Sequence, residues 1–214
     1  MITLNEEEIY YLAEYRGIEE LFGIQYKEYT PIVMSALVSK DILSSKGKVH
    51  QNTVYYVETL KKYSESKEYF IIQEYLFGIQ EDNLCVIFKY HEDIEEFSIY
   101  VGDLLELVRI GLQHPILAAS AQKYYQEMVP DEEILEDNIL NLIRTSVLHM
   151  QHFNALGNCI NSISIGCKRR KYYQLDEELE FTDQEVDIDV FKWLLECLPK
   201  VKECCQKVLE NSNE

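Results

Sequence analysis

The chain has 214 residues, 47% of them hydrophobic, which is enough to bury a sizeable core without disulfides or a structural metal. Its 38 acidic and 20 basic residues give a formal net charge of −18, which repels phosphate backbones and argues against a nucleic acid partner. The sequence has no apolar run of about 18 residues and no signal-peptide pattern at its start, so we expect a cytoplasmic protein without membrane insertion.

The first 64 residues predict three helices. Thr3 and Glu6 match a capping box, and the helix that follows is expected to end near Gly17. A Thr-Pro pair at residues 30–31 predicts the start of the second helix, because proline is well accommodated in the first turn. Asn52 is the expected cap of the third helix. Its inward stripe is predicted to hold Val54, Val57 and Leu60.

Residues 68–91, EYFIIQEYLFGIQEDNLCVIFKYH, predict two strands with apolar side chains on both faces. A third strand, IEEFSIYV, alternates apolar and polar residues as a strand nearer an edge does. The short connections between these runs are typical of an antiparallel meander. Strands that are apolar on both faces are expected to lie in a central sheet with helices packed on at least one side.

The second half of the chain repeats this coarse order. Asp103 is expected to cap a helix, and residues 131–153 predict the longest helix of the chain. Its stripe would be formed by Ile134, Leu135, Ile139, Leu142, Ile143 and Val147. A strand pair follows, and then a final helix that is kinked or broken near Pro199.

The predicted fold class is therefore α+β: a central antiparallel β-sheet with helical subdomains and quasi-twofold related halves. We expect a single domain over residues 1–214, with halves at approximately 1–115 and 130–214.

Two patterns suggest a metal, and neither completes a ligand set. His149 and His152 are three residues apart on the predicted long helix, but no Glu, Asp or Cys stands nearby at ligand spacing. The acidic run DEELEFTDQEVDID lacks the turn glycine and the regular spacing of an EF-hand loop. We interpret both as structural features and expect no metal and no cofactor.

Motifs for catalysis are missing from the sequence. It contains no GxSxG, Walker-type loop, GxGxxG or HExxH, so no catalytic residue is assigned and we do not expect an enzyme. A site assembled in space from distant residues is the remaining enzymatic alternative. The six cysteines form no CxxC pair, which favours reduced thiols in a reducing compartment.

Two further features suggest a protein partner, each with a plainer alternative. The basic run at residues 168–171, KRRK, is either a docking point for an acidic partner or phosphate, or a turn whose charges pair with nearby acids. The 16 tyrosines are either interface residues or the product of coding bias.

The order of these elements resembles a known family. The resemblance rests on an N-terminal L-x-x-x-E-x-x-x-L helix, the passages SALVSKDILSSKGKV and LKKYSESKEYFII, and the C-terminal strands and helix. The residues that carry it at the two ends are Leu4, Glu8, Leu12, Arg169, Arg170, Tyr173, Trp193 and Leu194. In this layout the chain is similar to the EspG-type cytosolic chaperones of type VII (ESX) secretion systems.

The resemblance implies a non-enzymatic chaperone that binds the exposed hydrophobic tip of a helical secreted protein, or the helical N-terminal region of a toxin. The loop FGIQEDN then becomes a candidate docking loop, and by position alone Phe77, Ile79 and Gln80 are the predicted partner-binding residues. An acidic immunity protein that neutralises a secreted toxin is the alternative, because a negative surface mimics nucleic acid toward a nuclease.

Overall fold

The computed structural model describes residues 2–128, 145–168 and 171–203. The chain divides into two compact units. The first consists of Met1–Gly102 with Phe153–Asn158, and the second of Asp103–His152 with Cys159–Glu214. The main division therefore falls at residue 102, earlier than the sequence-based boundary between the halves. The prediction of a single domain stays a prediction.

The first unit begins with a short strand and three helices. These are β1 (Thr3–Leu4), α1 (Glu6–Glu14), α2 (Pro31–Ser39) and α3 (Val54–Ser64), the last preceded by a 3-10 turn at Gln51–Thr53. The predicted cap of α1 was wrong by two residues, since the capping box is formed by Asn5 and Glu8. Asn52 does not cap α3 because it lies within the 3-10 turn, and Val54 is exposed and does not face inward.

Four more strands complete the first unit: β2 (Glu68–Ile72), β3 (Tyr75–Ile79), β4 (Leu84–His91) and β5 (Glu96–Asp103). They are antiparallel in the order β1-β5-β4-β3-β2. The first predicted strand is in fact two, because the chain reverses at Gln73, whose φ is +51°, and Ile72 pairs with Tyr75. The predicted antiparallel meander is otherwise confirmed.

The helices of the first unit pack on its strands. The core includes Leu37 from α2, Leu60 and Tyr63 from α3, and Val86 and Phe88 from β4. All five of these side chains are fully buried. Burial of this apolar surface is the main favourable term in the stability of the unit.

The second unit contains α4 (Leu104–Gly111), α5 (Pro115–Met128), most of β6 (Thr145–Asn154), β7 (Cys159–Lys168), β8 (Lys171–Leu175), β9 (Phe181–Val186) and α6 (Val190–Cys197). The last two residues of β6, Phe153 and Asn154, belong to the first unit. Its strands follow the order β6-β7-β8-β9. Ser120 of α5 joins the start of α6, because its hydroxyl accepts from Phe191 N–H at 2.9 Å and donates to Asp189, the N-cap residue. The Asp103 cap and the break before Pro199 are as predicted.

The predicted long helix was wrong over its last part. Residues 145–154 form strand β6, in which Leu148, Met150 and His152 are buried and alternate with half-buried neighbours. The earlier part of that prediction, including five of its six stripe residues, lies outside the described residues.

An α+β fold built on antiparallel strands is confirmed. Within the described parts of the chain, no helix has the length and apolar character needed to cross a membrane.

Candidate functional site

Two of the three predicted partner-binding residues are buried in the sheet of the first unit. Phe77 is 0% exposed and Ile79 is 5% exposed. Gln80 is half-buried, and its side-chain amide donates to the Lys62 carbonyl at 2.9 Å and to Ser66 Oγ at 2.7 Å. The hairpin therefore uses these side chains in its own packing, and Phe77 and Ile79 are not offered at its surface.

The two histidines considered as metal ligands lie on strand β6 and not on a helix. His149 Nδ1 is 2.6 Å from Ser164 Oγ, whereas His152 is buried. Residues three apart on a strand project to opposite faces, so the pair cannot converge on one ion. Across the described ranges, no group of three or more His, Cys, Asp or Glu is placed to hold a metal.

One residue of the basic run, Lys171 on β8, pairs with one residue of the acidic run, Glu185 on β9. Asp176 Oδ1 accepts from the N–H groups of Glu178 and Glu180, which stabilises the turn between these strands. Lys171 Nζ lies 2.7 Å from Glu185 Oε2, an exposed pair of little energetic weight. Arg169 and Arg170 lie outside the described residues.

A more distinctive site surrounds residues 20–27, which connect α1 to α2. The segment contains a turn in which Ile24 N–H donates to the Leu21 carbonyl, with Gly23 at φ +71°. A positive φ at this position is readily adopted by glycine. A Cβ at Gly23 would also meet the Leu76 side chain at 3.1 Å. Glycine thus lets the segment turn closely over the sheet.

Two tyrosine hydroxyls hold this segment in place through hydrogen bonds to its backbone. Tyr10 donates to the Ile24 carbonyl at 3.0 Å and accepts from Leu21 N–H at 3.3 Å. Tyr63 donates to the Phe22 carbonyl at 2.9 Å. Burial raises the pKa of Tyr10 and the pKa of Tyr63, so both phenols stay protonated as donors. Part of the tyrosine content therefore has a structural role.

On one side of the segment lies a cleft of about 540 Å³, here called the aromatic cleft. Its aromatic lining is formed by Tyr10, Phe22, Tyr26 and Tyr69. Phe22 stacks on Tyr69 with 4.4 Å between ring centroids, and Tyr26 meets Tyr10 edge-on at 5.0 Å. Tyr26 is 58% exposed, so an aromatic face is presented to solvent at the edge of the cleft.

The turn at residues 154–158, which belongs to the first unit, also lines the aromatic cleft through Ala155, Leu156 and Gly157. Asn154 Oδ1 accepts from the N–H groups of Leu156 and Asn158, at 2.9 and 3.0 Å. Gly157 has φ +75°, and a Cβ there would meet Phe22 at 3.3 Å. Leu156 is held at the top of this turn and is 85% exposed.

On the other side of the segment lies a second cleft of about 480 Å³, here called the acidic cleft. Its charged lining consists of Glu6, Glu74, Glu95 and Lys27. Lys27 Nζ lies 2.6 Å from Glu6 Oε2, and this hydrogen bond raises the pKa of Lys27. Segment 20–27 contributes Phe22, Ile24 and Tyr26 to the aromatic cleft, and Gly23, Gln25 and Lys27 to the acidic cleft.

Sequence reasoning did not find this site. Phe22, Ile24 and Tyr26 alternate with Gly23, Gln25 and Lys27, a period of two that is typical of a β-strand. The segment nevertheless forms no strand and pairs with none of β1 to β9. Nothing in the sequence marks Leu156 as a binding residue, because single exposed leucines are common in proteins.

These features define an acidic α+β protein with two adjoining clefts on its first unit. The chain matches the model of a family described as Domain of unknown function (DUF5081) over residues 2–174, and it belongs to that family. No curated protein matches the chain.

Proposed function

We propose that this protein is a cytosolic, non-enzymatic chaperone or adaptor that binds a helical type VII secretion substrate and keeps it soluble for export. The observation that carries the proposal is the aromatic cleft, with Tyr26 and Leu156 exposed on its rims. Exposed aromatic and aliphatic groups gathered at a concave surface are typical of protein-binding sites. The secretion context comes from the sequence resemblance described above.

The side chains that line the two clefts suit non-covalent binding of a partner better than catalysis of a reaction. Among the described residues three Ser–His pairs lie within hydrogen-bond distance: His91 with Ser98 at 2.7 Å, His149 with Ser164 at 2.6 Å, and His114 with Ser146 at 3.4 Å. None of these residues lines either cleft. The aromatic cleft instead offers ring faces and backbone turns. Such a surface covers an apolar side chain of a partner and withdraws it from water, which is what keeps an aggregation-prone helix soluble.

The test is affinity capture of the tagged full-length protein from its native cytoplasm, followed by quantitative mass spectrometry. A helical secreted protein, or the helical N-terminal region of a toxin, is the expected partner. Its solubility on co-expression should fall when this protein is omitted. Recovery of a toxin's catalytic domain instead would support the immunity alternative, which the charge of −18 favours for a basic nuclease.

A further inference from the structure

We propose that the aromatic cleft, the acidic cleft and Leu156 form one docking surface for a helical partner segment. That segment carries a bulky apolar side chain and, about one helical turn away, a lysine or arginine. The inference rests on the proposed function and specifies which part of the partner is recognised. Helices that lie in grooves are commonly read through such anchors at i and i+3 or i+4.

The apolar anchor is assigned to the aromatic cleft. Tyr26 and Leu156 both line this cleft, 58% and 85% exposed, and Phe22 lines it on its stack with Tyr69. A leucine, methionine or phenylalanine that enters the cleft would cover Leu156 as well as itself. The Leu156 turn is already ordered by Asn154, so binding costs little additional conformational entropy there.

The cation is assigned to the acidic cleft by charge. Three glutamates and one lysine line this cleft, and the lysine already pairs with Glu6 at 2.6 Å. Glu74 and Glu95 therefore leave an excess of negative charge beside the segment. A partner lysine or arginine is attracted there, most strongly at low ionic strength.

Because residues of segment 20–27 line both clefts, we expect a single partner helix to reach both. Residues 20–27 present Phe22 and Tyr26 on one side and Gln25 and Lys27 on the other. Side chains three or four positions apart on a helix lie about 5–6 Å apart on one face. A second copy of this chain is a poor occupant, because it would bring another −18 of formal charge to an acidic surface.

The probe is a display library of short alanine-based helices, randomised at two positions four residues apart and panned on the immobilised full-length protein. Leucine, methionine or phenylalanine at one position with lysine or arginine at the other is the expected enrichment. Enrichment of acidic or purely apolar helices would overturn the proposal, and so would the absence of any enrichment over an uncoated surface.

Affinities of the enriched helix for variants locate the surface. Leu156→Ser should weaken binding roughly ten-fold, because a buried leucine contact is lost. Glu74→Gln combined with Glu95→Gln should weaken it at low salt and have little effect at high salt. Ile32→Ser is the matched control, since Ile32 is 74% exposed on α2 and lines neither cleft. Equal effects of Leu156→Ser and Ile32→Ser would overturn the docking surface.

Capture from the native cytoplasm separates this inference from the proposed function. If Leu156→Ser captures the same helical secreted protein in the same amount as the unmodified chain does, the docking surface is wrong and the chaperone function stands. If the library gives the expected helix but the native partner is a toxin's catalytic domain, the docking surface stands and the chaperone function fails.

Discussion

The ammonium of Lys40 lies 2.7 Å from Oε2 of Glu8, a carboxylate whose side chain is only 1% exposed. Lys40 also donates to Glu96 Oε1 at 2.9 Å and to the Thr3 carbonyl at 2.9 Å. Glu8 accepts in addition from Asn5 N–H at 2.9 Å. One lysine at the end of α2 thus pairs with two carboxylates, one on α1 and one on β5.

Lys40→Met is expected to destabilise the first unit by about 3 kcal/mol, because it leaves the buried Glu8 carboxylate without its cation. Lys61→Met is the matched control. Lys61 and Glu65 are 3.8 Å apart and 48% and 62% exposed, so its loss should cost less than about 0.5 kcal/mol. Urea unfolding followed by circular dichroism measures both. Equal losses in the two variants would contradict the role assigned to Lys40.

Glu96 should make stability depend on pH in acid. Burial alone would raise the pKa of Glu96, but hydrogen bonds from Thr3 and Lys40 and the Lys40 charge outweigh it, so the folded pKa is lowered. The stabilisation is therefore present above the unfolded pKa of about 4.3. It is lost as the pH falls through the lower folded value.

Glu96→Gln should accordingly be less stable than the unmodified chain at pH 7, and the difference should shrink below about pH 4. Glu95→Gln, an exposed neighbour, should change stability by less than about 0.5 kcal/mol across this range. Urea midpoints between pH 3 and 8 test both. A gap between Glu96→Gln and the unmodified chain that stays constant down to pH 3 would count against the ion pair as its origin.

Local sequence signals identified most elements of the first unit and missed its irregular points. Two overlapping capping boxes, Thr3 with Glu6 and Asn5 with Glu8, are present in the sequence. The second forms because Thr3 pairs with Ser98 in the sheet, a contact too distant along the chain to be read locally. The reversal at Gln73 lacks the glycine or asparagine that marks a tight hairpin turn.

Strand β6 shows a different cause of error. Its inward positions are Leu148, Met150 and His152, so a polar residue interrupts the apolar alternation that would identify a strand. The site around residues 20–27 depends on hydrogen bonds from Tyr10 and Tyr63, which sequence spacing alone does not predict. The excess of acidic residues, by contrast, is evident from the sequence, and it underlies the acidic cleft.

Gly78→Ala is expected to destabilise the sheet by about 2–3 kcal/mol. A Cβ at this position would lie 2.4 Å from Ser66 Oγ and 2.6 Å from Cδ2 of the buried Tyr63, and overpacking of this kind forces both side chains to move. Gly17→Ala, where nothing lies within 4 Å but φ is +64°, should cost about 1 kcal/mol from backbone strain alone. A smaller loss at residue 78 than at residue 17, in thermal or urea unfolding, would contradict the packing argument.

Tyr63→Phe tests how the aromatic cleft is held. It removes the hydroxyl that donates to the Phe22 carbonyl, at a cost of about 1 kcal/mol. Amide hydrogen exchange in a peptide covering residues 20–27 should become faster. Tyr29→Phe is the control, since the Tyr29 hydroxyl bonds the exposed Glu14 carboxylate. Unchanged exchange in the Tyr63 variant would show that the hydroxyl does not order the segment.

Ile79→Asp bears on the hairpin as a docking loop. Ile79 is 5% exposed and pairs with Glu68 and Cys85, so a buried carboxylate there should unfold the first unit and remove partner capture with it. Gln80→Ala is the informative variant at this loop. It removes hydrogen bonds to Lys62 and Ser66 and should cost about 1 kcal/mol, leaving a folded chain.

Capture of the native partner by folded Gln80→Ala should equal that of the unmodified chain if docking occurs at the aromatic and acidic clefts, because Gln80 lines neither of them. Circular dichroism confirms folding, and quantitative mass spectrometry of the captured material measures binding. Loss of capture in a folded Gln80→Ala protein would return the docking surface to the β3–β4 hairpin. In that case Leu156→Ser should leave capture intact, so the two variants together assign the surface.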